Sequence, residues 1–565
     1  MNQRRGNSGQ PAETSSAAAS SVVASSTTAS PAPAANLRLH LRDAAATEAL
    51  GRELALFVRA GDHILLHGDL GTGKTTLARA FIRALMPRQE AADAEVPSPT
   101  FTLVQPYEHT RIPVAHVDLY RLADPFEVEE LGLEELARDH VLLIEWPDRL
   151  PDLPAERLEV RLADADGGHA RKAHLAGYGS WVARLERMRQ VRDFLQRALP
   201  DEPVEPGASG VQRRFLQGDA SARRYERIEA AGRPPMVLMD MPAMPDGPPV
   251  RDGKSYSELV HLAHDVRAVF AVNTELRRQG YSAPEVIAHD FDAGLLLLED
   301  LGDAVFGPLY RQEGMMEPLL AAATDVLADM AAREWPREVV LPEGGAYRLA
   351  DYDDEAFMVE AELLLDWFWP HVKDGAACPD AARSAFREAL TALLAHARPA
   401  DAPPVWVLRD YHSPNLIWLP ERAGVRRVGL IDTQDAVLGP AAYDLASLLQ
   451  DARITVPEAL EQRMLERYVA ARRSAEADFD EVAFRLSYAV MGAQRALKIL
   501  GIFARLKMRD GKPQYLKHLP RVAWWLRCNL GRHAALADMA AWLDAHLPQV
   551  ETLAAEHERM RKETA

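Results

Sequence analysis

Two stretches of this sequence carry residues whose types and spacing suit phosphoryl chemistry. In "RDYHSPN", Asp410 precedes Asn415 by five positions, and Asp432 ends the apolar run "RVGLID" seventeen positions further on. Transfer of a phosphoryl group to a hydroxyl uses such a set. One Asp accepts the acceptor's proton, the Asn binds Mg²⁺, and the second Asp joins Mg²⁺ to the β- and γ-phosphates. The other stretch, "GDLGTGKT" at residues 68–75, matches G-x-x-x-x-G-K-[ST] in full. Gly68, Gly71 and Gly73 let the backbone approach phosphate, so that Thr72 and its neighbours, together with a helix N-terminus, cradle an anion. Lys74 supplies a point charge, and the Thr75 hydroxyl can sit on Mg²⁺. The pattern predicts two separate centres that both use ATP and Mg²⁺.

Further residues fall in with each centre. Asp118 in "VAHVDLY" and Glu145 in "LLIEWP" end apolar runs, where an acid can hold Mg²⁺; Glu145 can also polarise an attacking water. For the second centre, the "GDAS" loop with Gly218 and Ser221 and the hinge-like "LLLLEDLGD" with Glu299 are expected to bind ATP. "MVLMD" offers no lysine where a protein kinase has one on its third strand, so Arg223 or Arg224 in "SARRY" is expected to bring the phosphate charge. His412 reads as a loop-orienting residue, and Asp444, opening a helical pattern, as a cap or a brace of the catalytic loop. His67 and His116 sit within apolar runs and read as packed side chains.

The elements that must position these residues follow from periodicity. Residues 37–185 alternate short buried strands ("HILLHGDL", "VAHVDLY", "HVLLIEW") with helical spacing such as "KTTLARAFIRALM", an α/β pattern. An amphipathic helix is expected over about 186–200, followed by a "DEPVEPGASG" loop. A second α/β section starts near 211, with strands at "RRFLQ", "PMVLMDM" and "GLLLLEDLG" and a helix near 257–279. Beyond 315 the chain reads as helical, interrupted by "VWVLRD" and "RVGLIDT", with long helices over 455–545. The expected fold is an α/β P-loop NTPase domain followed by an α+β domain; the motif set of the second centre resembles that of the aminoglycoside phosphotransferases, a likeness that implies a bilobal, protein-kinase-like architecture. Expected boundaries are 1–36 for a disordered tail, 37–185 and 186–545 for the domains, and 546–565 for a C-terminal helical tail.

Bulk properties narrow the function. A chain of 565 residues exceeds one hydrophobic core. A net charge of −18 argues against tight unspecific nucleic-acid binding. Cys378 and Cys528 are the only cysteines and lack metal-ligand neighbours, which fits a reducing cytoplasm. No apolar run is long enough for a spanning helix. The first 36 residues are mostly Ser, Ala, Thr and Pro, with no h-region for a signal peptide.

Two family resemblances emerge. "GDLGTGKTT", "SPTFTLVQPYE", "HVDLYRLADPFEVEELGLEEL" and "LIEWPDRLP" resemble the TsaE family of bacterial ATPases over residues 37–185. That likeness implies an ATP-dependent partner of the tRNA threonylcarbamoyl transferase subunit and its paralogue. It also implies Lys74, Thr75 and Thr76 on phosphate and Mg²⁺, Glu145 as a further ligand, Thr100 in "SPTF" as a γ-phosphate-sensing switch, and Trp146 beside the nucleotide. Over 186–545, "LQGDASARRYERI", "APEVIAHD", "LLLEDLGD", "RDYHSPNLIWLP" and "IDTQDAVLGPAAYDLASLLQDAR" resemble the aminoglycoside-phosphotransferase-like kinases, within them the AmgK-type kinases of N-acetylmuramate and N-acetylglucosamine. The implied reaction makes a sugar 1-phosphate for peptidoglycan recycling, with Asp410 as base. Thr433 stands where relatives commonly show an aromatic residue. Candidate sugar-facing residues are Gln434, Asp435, Gln494, Arg495 and Lys498. Alternatives are an aminoglycoside or choline-like acceptor, or a non-catalytic nucleotide-binding module. No membrane or tight nucleic-acid contact is expected.

Overall fold

Alternating apolar and polar residues make "ANLRLHL" a strand, β1 (Ala35–Leu41). The computed structural model describes residues 35–564 except 123, 125, 203, 205–209, 217–222, 244–246 and 400–401. Of the expected N-terminal tail, residues 1–34 therefore lie outside the described residues. Ala35 and Asn36 are corrected to strand, because the period-two pattern begins with them.

Two compact units make up the chain. The first takes the described residues up to His40, with Arg59–Thr75 and Pro97–Glu186; the second takes Leu41–Val58, Thr76–Val96 and Arg187 onward. In the first unit, β2 (His63–His67), β3 (Val104–Tyr107), β4 (Val114–Asp118), β5 (Val141–Glu145), β6 (Arg157–Ala165) and β7 (Ala170–Tyr178) join β1 in one sheet of order β1-β7-β6-β2-β5-β4-β3. Strands β6, β2, β5 and β4 run parallel, while β3 and β7 pair antiparallel with their neighbours. Strands β4 and β5 are buried along their whole length, as continuous apolar runs of a parallel sheet are. Leu65, Val117, Leu142 and Ile144 form the core beside them. The β4–β5 register sets Asp118 opposite Glu145 at the carboxyl ends of two parallel strands. Open α/β sheets bind their ligands at this edge. Helix α1 (Ala44–Leu54) follows β1, and α2 (Lys74–Leu85) follows β2 through the glycine loop.

The second unit has a five-stranded antiparallel sheet. Its strands are β8 (Gln212–Leu216), β9 (Arg224–Glu229), β10 (Met236–Asp240), β11 (Val286–Asp290) and β12 (Leu295–Glu299), in the order β11-β12-β10-β9-β8. Alternation along the strands gives it two apolar faces. Leu238, Leu295 and Leu297 pack with Val191, Phe194 and Leu195 of α3 (Trp181–Ala198). Met239, Leu296 and Leu298 face the main core with Val269, Val272 and Leu276 of α4 (Arg267–Arg278).

The remainder is mostly helical, with α5 (Met316–Ala331), α6 (Asp354–Leu363), α7 (Ala442–Leu449), α8 (Glu458–Ala475), α9 (Glu481–Met508), α10 (Leu519–Gly531) and α11 (Gln549–Thr564) among its helices. Of the segment expected as a C-terminal helical tail, Gln549–Thr564 forms α11, whose Val550 and Ala554 join the main core. Two of the three-residue ladders that interrupt the helices adjoin the second centre. In one, β13 (Val405–Val407) pairs with β16 (Val437–Gly439); in the other, β14 (Leu416–Trp418) pairs with β15 (Val428–Leu430). Among the described residues no helix is long and apolar enough to cross a membrane.

Candidate active sites

The glycine loop takes a conformation only its residue types allow. Gly68, Gly71 and Gly73 have φ of 141°, 81° and 100°. A Cβ on Gly68 would meet the Leu162 carbonyl oxygen at 2.4 Å and Thr72 Oγ1 at 2.7 Å. Thr72 is buried and donates through Oγ1 to the Asp69 carbonyl (2.9 Å). Lys74 Nζ donates to the Gly68 and Asp69 carbonyls (2.7 and 2.9 Å), and the Trp146 ring centroid lies 3.9 Å from it. Burial lowers the Lys74 pKa, against the opposing pull of Glu145, Asp118 and Asp69.

Around this ammonium the predicted residues gather. Thr75 Oγ1 donates to Glu145 Oε2 at 3.1 Å. Ser98 and Thr100 hydroxyls both donate to Asp118 Oδ2 at 3.1 Å, so the expected switch is tied to the strand-end acid. Thr76, next in α2, is half-buried. His116 does more than pack: its Nε2 lies 3.0 Å from Glu145 Oε1, with both side chains buried. Sequence reading missed this partnership, whose only signal is the two-residue step to Asp118, which puts both side chains on one face of β4. His67 is buried beside Asp148 (3.3 Å).

The second centre brings its trio together. Asp410, Asn415 and Asp432 line one small cleft with Leu408, Tyr411 and Ile431. Asn415 Nδ2 donates to the Asp410 carbonyl (3.1 Å) and to Asp432 Oδ2 (3.3 Å). Asp432 has φ of 60°, and desolvation raises its carboxyl to about 6. Asp410 and Asp435 add to that rise, while Arg223 and Gln434 oppose it. Desolvation would raise Asp410 as well, but the positive groups Lys498, Arg409 and Arg495 hold it below the usual range.

A shell of buried contacts fixes the loop. Asp444 accepts from the Leu408 and Arg409 amides (2.6 and 3.0 Å), which is bracing rather than helix capping. Asp451 accepts from the Ser413 amide and hydroxyl (3.1 and 2.5 Å). His412 Nδ1 lies 2.8 Å from the Asp410 carbonyl, and Arg453 Nη1 donates to its Nε2 at 2.6 Å. A ring that accepts at Nε2 is neutral, and burial lowers the His412 pKa accordingly. Buried Glu360 takes Arg409, Lys498 Nζ (2.7 Å), Tyr352 Oη (2.5 Å) and Gln494 Nε2 (3.3 Å). Glu360 and Asp451 left no sequence signal, since each lies within an ordinary helical or loop pattern.

The other expected residues divide between the cleft and its surroundings. Arg223 donates to Asp432 Oδ1 at 2.8 Å and so belongs to the cleft. Arg224, the first residue of β9, pairs with Asp240 Oδ2 (2.5 Å) instead. The Glu299 carboxylate is held by Arg277 and Arg422 (2.9 and 2.7 Å). Gly218 and Ser221 lie outside the described residues. Gln434 donates to Asp432 and Asp435, Asp435 accepts from the Ala263 amide, and Arg495 Nη1 reaches the Gln450 carbonyl at 3.5 Å. Each of these three candidate sugar readers has a protein partner. Thr433 Oγ1 donates to buried Asn273 (2.7 Å).

Hydroxyl, carboxylate and amide oxygens gathered at both centres are hard ligands of the kind Mg²⁺ takes. Among the described residues no three His, Cys, Asp or Glu side chains form a self-contained metal site. The hydroxyl, amide and carboxylate oxygens fit a cation that shares its shell with phosphate.

A glycine cradle leading from a strand into a helix, and an acid–amide–acid cleft in an α+β unit, define a P-loop NTPase domain followed by a protein-kinase-like phosphotransferase domain. The family model of the threonylcarbamoyl adenosine biosynthesis protein TsaE matches residues 41–173, and that of the phosphotransferase enzyme family matches 212–485. An N-acetylmuramate/N-acetylglucosamine kinase of Caulobacter vibrioides is 41% identical over 355 residues, 61% of this chain and 94% of the relative. A tRNA threonylcarbamoyladenosine biosynthesis protein TsaE of Synechocystis is 39% identical over 126 residues, 21% of this chain and 76% of the relative. The solved structure of ADP-bound aminoglycoside phosphotransferase APH(2'')-Ib covers 60% of this chain and 96% of its own at 13% identity, with a TM-score of 0.35. The chain belongs to the TsaE family through its N-terminal part and to the N-acetylmuramate/N-acetylglucosamine kinase family through the rest. It is an enzyme of ATP hydrolysis and phosphoryl transfer to an alcohol.

Proposed function

We propose that this chain is a bifunctional cytoplasmic protein with domains at 37–185 and 186–545. Its N-terminal ATPase would support threonylcarbamoyladenosine modification of tRNA by acting on the transferase subunit and its paralogue. Its C-terminal domain would phosphorylate the anomeric hydroxyl of N-acetylmuramate or N-acetylglucosamine, feeding cell-wall recycling. The observation that carries the kinase reading is the convergence of Asp410, Asn415 and Asp432 on one cleft.

In this reading Asp410, kept ionised by the surrounding positive charge, accepts the acceptor's hydroxyl proton. Asn415 and Asp432 would hold Mg²⁺ and Arg223 the phosphates, while Asp444 keeps the loop's backbone in place. In the ATPase, Lys74 leaves the loop carbonyls for phosphate. Thr75, Asp118 and Glu145 would hold Mg²⁺, and Thr100 would report the γ-phosphate through its bond to Asp118. Mg²⁺ supplies charge neutralisation on the phosphates at both centres. Incubation of the whole chain with labelled ATP and a panel of acceptors tests the kinase reading. Phosphorylation of an N-acetylated amino sugar, lost in Asp410→Ala, is expected; transfer only to an aminoglycoside or choline would reject the sugar assignment.

A further inference from the structure

A phosphate cradle works best when its backbone N–H groups face the anion's place before the anion arrives. Glycines make that conformation accessible but do not hold it, because they leave the chain its greatest freedom. Gly71, midway along the loop at 68–75, is exposed, so the peptide planes around it need an outside partner. That partner is Arg171, the second residue of β7.

Arg171 Nε donates to the Thr72 carbonyl at 3.0 Å, and Nη2 donates to the Gly71 carbonyl at 3.1 Å. The third nitrogen, Nη1, donates to the Gly168 and Ala170 carbonyls, both at 2.7 Å. It also lies 3.1 Å from Asp164 Oδ1, whose residue stands directly opposite on β6. One edge of the guanidinium thus takes two consecutive loop carbonyls, while its other end is fastened to its own hairpin. A planar fork of donors can do this, and a lysine ammonium cannot. The hairpin is a firm anchor: β6 and β7 have nine residues each and pair along their whole length. It meets the loop a second time at Gly68, where the Leu162 carbonyl of β6 leaves no room for a Cβ.

The grip has a chemical consequence. In a planar trans peptide the N–H points opposite to the C=O. Fixing the Gly71 and Thr72 carbonyls against the hairpin therefore turns the Thr72 and Gly73 amides away from it. The Thr72 amide makes a long bond of 3.4 Å to the Asp69 carbonyl, which a phosphate oxygen can replace. Lys74 holds the earlier carbonyls, those of Gly68 and Asp69, so the two cations divide the loop between them.

We infer that Arg171 is a positioning residue of the ATPase, which presets the loop's amides for phosphate without touching the nucleotide. The inference rests on residues 68–75 being the nucleotide cradle, and it names what keeps that cradle in shape.

Calorimetry of the full chain with Mg²⁺ and ADP tests it, the P-loop site being the uptake that Lys74→Ala removes. Arg171→Ala should weaken that site by at least about tenfold. Arg171→Lys keeps the charge but cannot span two carbonyls, so its affinity should lie nearer to that of Arg171→Ala than to the parent's. In hydrolysis assays with the threonylcarbamoyl transferase proteins present, both variants should raise the ATP KM and leave kcat within about threefold. Hydrogen exchange in β2 and β5 should match the parent, showing that the sheet stays folded. If Lys74→Ala removes a site and both Arg171 variants bind ADP like the parent, the inference fails and the cradle stands. If Lys74→Ala removes no uptake, the cradle reading fails and the inference falls with it. Parent-like binding by Arg171→Lys would assign the effect to charge alone. Lost protection in β2 and β5, or a fall in kcat with KM unchanged, would assign Arg171 another role; each of these overturns the inference.

Discussion

Adjacent arginines in "SARRY" have different partners, Arg223 just before β9 and Arg224 as its first residue. Arg223 reaches Asp432 and Asp435, whereas Arg224 is paired with Asp240. Arg223→Ala should therefore raise the ATP KM of the kinase, by about tenfold or more for a charge-assisted contact to phosphate. Arg224→Ala should leave that KM unchanged and instead destabilise the second unit, by about 1–2 kcal/mol, since Asp240 keeps Arg187 as a partner. ATP titrations and urea unfolding of both variants separate the two roles, and an ATP effect in Arg224→Ala would contradict them. Asp432 gives a pH expectation. Burial raises its carboxyl to about 6, so in the free enzyme it is protonated below that pH and ionised above it. A protonated acid cannot hold Mg²⁺, so kcat/KM should fall on the acid side of pH 6, as proton concentration rises through that value. A profile flat down to pH 5 would contradict this assignment.

At the scale of elements, legibility follows length and periodicity. The runs "HILLH", "VAHVD", "VLLIE" and "LLLLE" read as strands because each is a continuous apolar block with turn residues after it. Strands β14 and β16 have three residues each, too few to show a period, so their pairing with β15 and β13 was hidden. Asp410, Asn415 and Asp432 were legible since phosphoryl transfer fixes their types and their distance along the chain. Glu360 was not, because its partners Arg409, Gln494 and Lys498 come from segments 49 to 138 residues away. Nor was the long helix α9 legible as a close-packed element. A Cβ on Gly501 would lie 2.3 Å from the Leu363 backbone carbon, so α9 touches the end of α6 without room for a methyl group. Gly501→Ala gains helix propensity of roughly 1 kcal/mol but must push backbone apart. The clash should win, with net destabilisation of about 1–3 kcal/mol. Thermal unfolding that is unchanged or raised would show that the helices separate freely.

For the whole molecule, the central question is whether one chain holds two reactions that run independently. No catalytic residue assigned to one centre is assigned to the other. Lys74, Thr75, Asp118 and Glu145 all lie in the first compact unit, and Arg223, Asp410, Asn415 and Asp432 all lie in the second. Each set is held by hydrogen bonds among its own members, such as Thr75 to Glu145 and Asn415 to Asp432. Removing a catalytic charge from one set therefore leaves the other's geometry without a lost partner. Lys74→Ala should abolish nucleotide hydrolysis at the P-loop while sugar phosphorylation stays within about twofold of the parent, a difference below ~0.5 kcal/mol. Asp410→Ala should do the reverse, lowering phosphoryl transfer by on the order of 10²–10⁴-fold, the usual worth of a general base, with hydrolysis intact. Both rates are measured on the full chain with the threonylcarbamoyl transferase proteins present, so that an ATPase dependent on partners is not mistaken for a silent one. If Lys74→Ala also lowered the kinase rate more than about tenfold, the two centres would be coupled by more than ~1.4 kcal/mol, and independence would be rejected.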